Sequence, residues 1–287
     1  MDTVVVTPTY CTHENQRQDK LYQTILTVKA QTEPAYHVVV DDGSTDDTFS
    51  WLEKLAERND HLRVYRKENG GSSSAINLGI EKAIQLDPAY ITVCHSDDLL
   101  TSYSIEMRKR LMQEKDVSFS YTDMLILYEE QDLLRRKSAS PLGENLFENL
   151  LQHKTIPFPT MFWKTELLQH VGGFDENLTS AEDWDIAIRS AKTLSEKGLN
   201  HAVSSNISTI YRVHDKNLAY QNLRDGTRWR AYKRILGKHL SGTAYQTALM
   251  KEACGLSVRM LPTPIMKYLR LMRDTFESWQ FQYSPRT

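Results

Sequence analysis

Three short stretches concentrate the residues able to do chemistry. Val38-Val39-Val40-Asp41-Asp42-Gly43-Ser44-Thr45-Asp46-Asp47-Thr48 is an apolar run ending in two carboxylates, a glycine and helix-capping residues. Tyr90-Ile91-Thr92-Val93-Cys94-His95-Ser96-Asp97-Asp98 is built the same way, and Val4-Val5-Val6-Thr7-Pro8-Thr9-Tyr10 ends in polar residues and an aromatic ring. Adjacent carboxylates at a strand end suit a hard divalent cation, which takes oxygen ligands and needs only one or two from the protein. Such a cation can bridge phosphate oxygens. The same acids also fit helix termini. Ser96 or Asp98 could cap a helix running through Ser102 and Ile105, and Asp46 and Asp47 complement the dipole of a first turn.

Stepping outward from these acids, the elements that must position them alternate between strand and helix. Leu21, Ile25 and Val28 keep helical spacing after the first apolar run, as do Phe49, Leu52 and Leu55 in a helix beginning near Thr45. Leu62 to Arg66 reads as a short strand, and Gly70-Gly71-Ser72-Ser73-Ser74 leads into a helix through Ala75, Ile76, Ile80, Ala83 and Ile84. Asp87-Pro88 stops it. Strands alternating with helices of this length require crossover connections and a mostly parallel sheet flanked by helices. Open sheets of this kind bind ligands at the carboxyl ends of their strands, where all three acidic or polar stretches end. Further on, Val117 to Thr122 and Leu125 to Tyr128 read as strands, Thr155 to Trp163 as a proline-interrupted extended segment, and Ile207 to Val213 as a last strand. Gly172-Gly173-Phe174-Asp175 is a turn before a helix opening at Ala181-Glu182-Asp183-Trp184-Asp185.

Bulk composition narrows the class. The chain has 287 residues, 40% hydrophobic and 25% charged, as expected of a globular protein with a substantial core. A formal net charge of −2 provides no global field for a polyanion, so nucleic acid is not an expected partner. Cys11, Cys94 and Cys254 form neither a zinc spacing nor a disulfide framework. No stretch reaches the roughly 20 apolar residues of a membrane-spanning helix, and Met1-Asp2-Thr3-Val4 does not open a signal peptide. The expected setting is the cytoplasm, with the inner face of the membrane as a variant of it.

The order of the motifs resembles the family 2 glycosyltransferases, inverting enzymes with a GT-A type nucleotide-sugar-binding fold. The resemblance runs over roughly residues 3 to 217. It is carried by Val6-Thr7-Pro8-Thr9-Tyr10, Val40-Asp41-Asp42-Gly43-Ser44-Thr45-Asp46, Asn69-Gly70-Gly71-Ser72-Ser73-Ser74-Ala75-Ile76-Asn77-Leu78-Gly79, His95-Ser96-Asp97-Asp98, Gly172-Gly173-Phe174-Asp175 and Glu182-Asp183-Trp184-Asp185. Three residues depart from the family pattern: Cys11 for a frequent Asn, Ile76 for a frequent Arg, and His95 for the first acid of the metal motif.

The resemblance implies a GT-A type catalytic domain over 1–217 and a helical C-terminal extension over 218–287. It implies a nucleotide-sugar donor, expected to be a UDP-sugar, and Mn²⁺ or Mg²⁺ as cofactor. Asp42 would accept a hydrogen bond from uracil, with Pro8 and Tyr10 as a wall against base or ribose. Asp97 and Asp98 would serve donor and metal, their division of work left open, and His214 in Tyr211-Arg212-Val213-His214 would complete the metal shell or touch the diphosphate. Asp183 would be the general base that takes the acceptor's proton; read without the resemblance, Glu182, Asp183 and Asp185 are helix N-terminal acids. The acceptor would be a glycan or lipid-linked saccharide of cell-surface polysaccharide biosynthesis. A nucleotidyltransferase and a non-catalytic sugar-nucleotide-binding module are the competing readings. Beyond His214 the chain reads as helical, with an apolar stripe of Ile265, Tyr268, Leu269, Met272, Phe276 and Trp279 beside Lys267, Arg270 and Arg273. Packing onto the catalytic domain, self-association as a homodimer and peripheral membrane contact are its three readings.

Overall fold

The computed structural model describes residues 1–15, 17–152, 155–214 and 227–259, with side chains as far as residue 250. Four strands, β1 (Thr3–Thr9), β2 (Tyr36–Asp41), β3 (Leu62–Arg66) and β4 (Tyr90–Val93), run parallel in the order β3-β2-β1-β4. The valines of β1 and β2 are fully buried on both faces because the crossover helices cover both. Leu21 and Ile25 of α1 (Gln18–Lys29) and Leu52 of α2 (Thr48–Ala56) pack with Val39 and Leu62 on one face. α3 (Ser72–Ile84) covers the other, where Val6 and Val40 point.

The contact between α3 and the sheet is close enough to require a glycine. A Cβ on Gly79 would lie 2.3 Å from Val6 Cγ1 and 3.3 Å from Val40 Cγ2. Both neighbours are β-branched and stiff at χ1, so they cannot swing aside. Gly79→Ala is therefore expected to destabilise the fold by about 1–3 kcal/mol despite its better helix propensity. The midpoint of denaturant unfolding reads the change.

Beyond β4 the sheet becomes mixed. β8 (Phe162–Lys164) runs antiparallel to β4 and to β6 (Phe119–Tyr128). β9 (His201–Val213) runs parallel to β6, and the two-residue β5 (Leu99–Leu100) closes that edge antiparallel to β9. β7 (Leu133–Lys137) forms a hairpin with β6. The helices of this half are α4 (Ser104–Glu114), α5 (Leu146–Leu151), α6 (Thr165–Val171) and α7 (Glu182–Lys197). The two strands expected over Val117–Thr122 and Leu125–Tyr128 are one strand. Its ladder with β9 shifts register between Thr122 and Met124, and buried Asp123 accepts hydrogen bonds from Ala139 N–H at 2.7 Å and Arg136 Nε at 2.7 Å. A buried carboxylate that reads as a strand break in sequence is thus a satisfied bulge residue. The proline-interrupted segment resolves into a 3₁₀ turn at Phe158–Thr160 followed by β8.

The chain divides into two compact units, Met1–Leu218 and Ala219–Thr287. The second contains α8 (Thr227–His239) and α9 (Gly242–Arg259). The apolar stripe from Ile265 to Trp279 lies outside the described residues. Among the described residues no helix is long and apolar enough to cross a membrane.

One buried titratable group sets a pH dependence for the fold. His37 in β2 is enclosed, its Nε2 2.8 Å from the Thr7 hydroxyl, and burial pushes its pKa down to about 3. An unfolded histidine binds its proton near pH 6.5. As pH falls below that value the unfolded state gains the proton and the folded state does not, so stability is lost between about pH 6.5 and 3. This single residue is expected to cost about 2 kcal/mol at pH 5. In His37→Gln, whose amide still reaches Thr7, urea unfolding should show a shallower decline over the same range.

Candidate active site

The acidic stretch after β2 is stitched to the end of β1 by bonds of the main chain and of the Ser44 side chain. Asp42 N–H donates to Thr9 C=O at 2.8 Å, Cys11 N–H to the Ser44 hydroxyl at 2.8 Å, and Thr45 N–H to Cys11 C=O at 3.1 Å. Gly43 turns the chain at φ +80°, where a Cβ would meet Asn69 N at 2.9 Å. Asp41 is fully buried: it accepts bonds from the Ser44 N–H and hydroxyl and lies 3.3 Å from Arg66 Nε. Asp42 accepts from Gly70 N–H at 3.0 Å, Gly71 N–H at 2.8 Å and Lys67 Nζ at 3.0 Å. The two acids thereby hold the loops at the start of α2 and α3. Three donors on Asp42 leave one of a carboxylate's four acceptor positions for a ligand. An open depression lined by Gly43, Arg66, Lys67, Glu68 and Asn69 lies at this edge. Helix α2 starts at Thr48 rather than near Thr45, because Ser44 is bound back to Asp41 and Asp46 accepts the Thr48 N–H at 3.0 Å. Tyr10 is exposed at the strand end, whereas Pro8 is buried within β1, in register with Val40.

At the end of β4 the two candidate metal acids behave differently. Asp97 Oδ2 lies 3.1 Å from His214 Nε2 at the end of β9. Asp98 is enclosed; its Oδ1 accepts the Arg212 N–H at 3.0 Å, while its Oδ2 is buried with no hydrogen-bond partner among the described residues. Its main-chain carbonyl accepts the Thr24 hydroxyl at 2.7 Å. The Arg212 guanidinium bonds to Asp97 C=O, to Gln23 Oε1 at 2.6 Å and to Lys20 C=O at 3.3 Å. It is a strut between α1, β9 and the acidic loop. Capping does not explain these acids: β5 follows them, and α4 starts only at Ser104 with Tyr103 before it.

Electrostatics separates the pair further. Burial pushes the Asp98 carboxyl well above its ordinary range, and the neighbouring Asp97 charge adds to this. Burial also acts on Asp97, but the His214 hydrogen bond and the charges of His95 and Arg17 outweigh it and hold that carboxyl below its usual value. A positive ion beside two such carboxylates would favour the ionised form of both.

The Glu182-Asp183-Trp184-Asp185 run opens α7, and its members face in different directions. Asp185 is fully buried and paired with Arg189 Nε at 2.7 Å; Trp184 is buried with its indole N–H on Leu150 C=O at 3.0 Å. Asp183 is exposed, its Oδ1 accepting the Trp184 N–H at 2.8 Å. Ala181, just before the helix, has φ +59°, a left-handed conformation that a non-glycine residue adopts at a cost. Upstream, the glycine turn is fixed to α3: Asn77 accepts the Phe174 N–H at 2.7 Å and donates to Phe174 C=O at 3.0 Å. His95 links the two acidic groups. Half-buried, it packs on Phe158 with ring centroids 5.3 Å apart, and Phe158 packs edge-on against Phe174. Burial lowers its pKa, opposed by the charges of both Asp97 and Asp183.

The structure thus joins Asp97 to His214 beside His95, on which the charge of Asp183 also acts, and puts Asp41 and Asp42 at the end of β2, separated from β4 by β1. Lys67, Gln23 and Thr24, which hold the acidic loops in place, carry no motif in the sequence. Lys67 directly follows β3, and its place at a strand end is the one signal that could have singled it out. Among the described residues no group of three or more His, Cys, Asp or Glu side chains is arranged to hold a metal ion. Asp97 with His214, and the unpartnered oxygen of Asp98, still fit an ion that draws most of its ligands from phosphate and water.

A parallel half-sheet with acidic strand ends, a mixed second half and an acid-led helix are the parts of a GT-A type fold. The chain belongs to glycosyl transferase family 2, whose family model matches residues 4–171. An uncharacterized glycosyltransferase of Rickettsia bellii is 31% identical over 201 residues, which is 70% of this chain and 28% of that protein. The chain spans less than a third of the length of that protein and of two further curated Rickettsia relatives that it matches. In fold it is similar to S. aureus TarS 1–349 in complex with UDP-GlcNAc, with TM-score 0.60 and 19% identity over 87% of this chain and 70% of that one. It is likewise similar to the mannosyltransferase PcManGT of Pyrobaculum calidifontis in complex with GDP-Man and Mn²⁺, with TM-score 0.60 and 16% identity over 98% and 83% of the two chains.

Proposed function

We propose that this chain transfers a sugar, with inversion, from a UDP-sugar to a glycan or lipid-linked saccharide acceptor, with Mn²⁺ or Mg²⁺ as cofactor. The observation that carries the reading is the contact of Asp97 with His214 at 3.1 Å beside Asp98, with the charges of Asp97 and Asp183 both acting on His95. Asp97, Asp98 and His214 would hold the cation, which when bound would supply positive charge to the diphosphate leaving group. Asp98, braced by the Arg212 N–H and the Thr24 hydroxyl, fixes the main chain from which Asp97 projects. Asp42 keeps one acceptor position for the N–H of uracil; cytosine, which has no proton at that nitrogen, would be rejected. Tyr10 provides the exposed ring beside the base.

Asp183 is exposed and held in orientation by the Trp184 N–H, and its charge acts on His95 together with that of Asp97. As general base this carboxylate would take the proton of the acceptor hydroxyl while the hydroxyl oxygen bonds to the anomeric carbon and the bond from that carbon to the diphosphate breaks, a single direct displacement that inverts the carbon. Family membership and the retained Asp98 and Asp183 favour catalysis over a binding module. Calorimetric titration with UDP, CDP and GDP, in Mn²⁺ and in chelator, tests the donor half. UDP should bind in Mn²⁺, with CDP and GDP far weaker and UDP weakened by chelator. Equal affinity for UDP and CDP would remove Asp42 from the base contact.

A further inference from the structure

The near-neutral chain hides a strong charge separation. Met1–Leu218 contains 33 acidic and 23 basic residues, a formal −10, whereas Ala219–Thr287 contains 4 and 12, a formal +8. The described part of the second unit shows how this charge is presented. α8 contains Arg228, Arg230, Lys233, Arg234 and Lys238, and no Asp or Glu occurs between residues 227 and 250. Ala231, Tyr232, Ile235 and Leu236 are buried along one side of the helix. Arg230, Lys233, Arg234 and Lys238 are exposed on the other, at i, i+3, i+4 and i+8, a line of about 12 Å. Because the apolar side is already covered, this helix can meet a partner only through its charged side.

We infer that the exposed basic face of α8 is a docking surface for an anionic lipid bilayer. Charge complementarity requires an anionic partner, and the sequence that follows favours a bilayer over a soluble polyanion. The apolar residues Ile265, Leu269, Met272, Phe276 and Trp279, flanked by Lys267, Arg270 and Arg273, have the composition of an interfacial segment. Met250 of α9 is 71% exposed, a further apolar side chain on the same unit. Lys233 lies 5.9 Å from the Trp229 ring, a pairing of cation and indole suited to the headgroup level. A basic residue near an anionic membrane strengthens adsorption about five-fold. The inference stands on charge distribution and does not rest on the sugar-transfer reading.

The test is co-sedimentation of the full chain with vesicles of phosphatidylcholine alone or mixed about 2:1 with phosphatidylglycerol. The parent should bind the mixed vesicles at low salt, release at high salt, and ignore the neutral ones. Arg230→Gln/Lys233→Gln should bind the mixed vesicles about 25-fold more weakly while keeping the parent's nucleotide binding and unfolding midpoint. Equal binding to both kinds of vesicle, no binding to either, or an unchanged double variant would overturn the inference. So would tighter binding to a DNA duplex at matched salt, which would mark a general polyanion site. Oligomers of the lipid-free chain that dissolve in the double variant would instead make a second copy the occupant.

Discussion

Asp183→Asn is expected to slow sugar transfer by about 10²- to 10⁴-fold while leaving donor affinity unchanged. The substitution removes the basic oxygen and little else. The asparagine carbonyl can still accept the Trp184 N–H that orients the side chain, and the position is exposed, so no buried partner is orphaned. Trp184 and Asp185, which anchor α7, are untouched. Comparing kcat with the dissociation constant for the nucleotide separates the two outcomes. A rate close to the parent's would reduce Asp183 to a first-turn acid that complements the helix dipole.

Asp97→Asn is expected to weaken nucleotide binding in Mn²⁺ by about 100-fold, the scale of losing one partner of a desolvated charge pair. In chelator, parent and variant should bind alike. The contrast is informative because the fold's own use of this residue is through its backbone: the Arg212 guanidinium holds the Asp97 carbonyl, which the substitution leaves in place. Asparagine can also still accept from His214 Nε2. A variant equally weakened with and without metal would mean that Asp97 supports the loop and does not face the ion.

Much of the nucleotide half was legible in the sequence because fully buried parallel strands read as continuous apolar runs, and β1, β2 and β4 do so. The acids at their ends were equally legible, since strand ends and helix starts fall at fixed places in alternating α/β sequences. The second half was harder to read. β5 is two residues long, β7 is exposed throughout, and Asp123 interrupts β6 in sequence while completing a bulge in structure. The site residues show the same divide. Asp97, Asp98, Asp183 and His214 stand in motifs; Lys67, Gln23 and Thr24 are defined only by what the fold brings beside them. The bonds on Asp42 could not be foreseen either. Its cage of Gly70, Gly71 and Lys67 exists only once β2 and β3 lie side by side.

The most direct test of the account is nucleotide release from a panel of UDP-, GDP- and dTDP-sugars, measured in Mn²⁺ and in chelator for the parent and for Asp183→Asn. The expected result is release from a UDP-sugar that requires metal and is nearly abolished in the variant. Release that persists in chelator, or that the variant performs as fast as the parent, would contradict it.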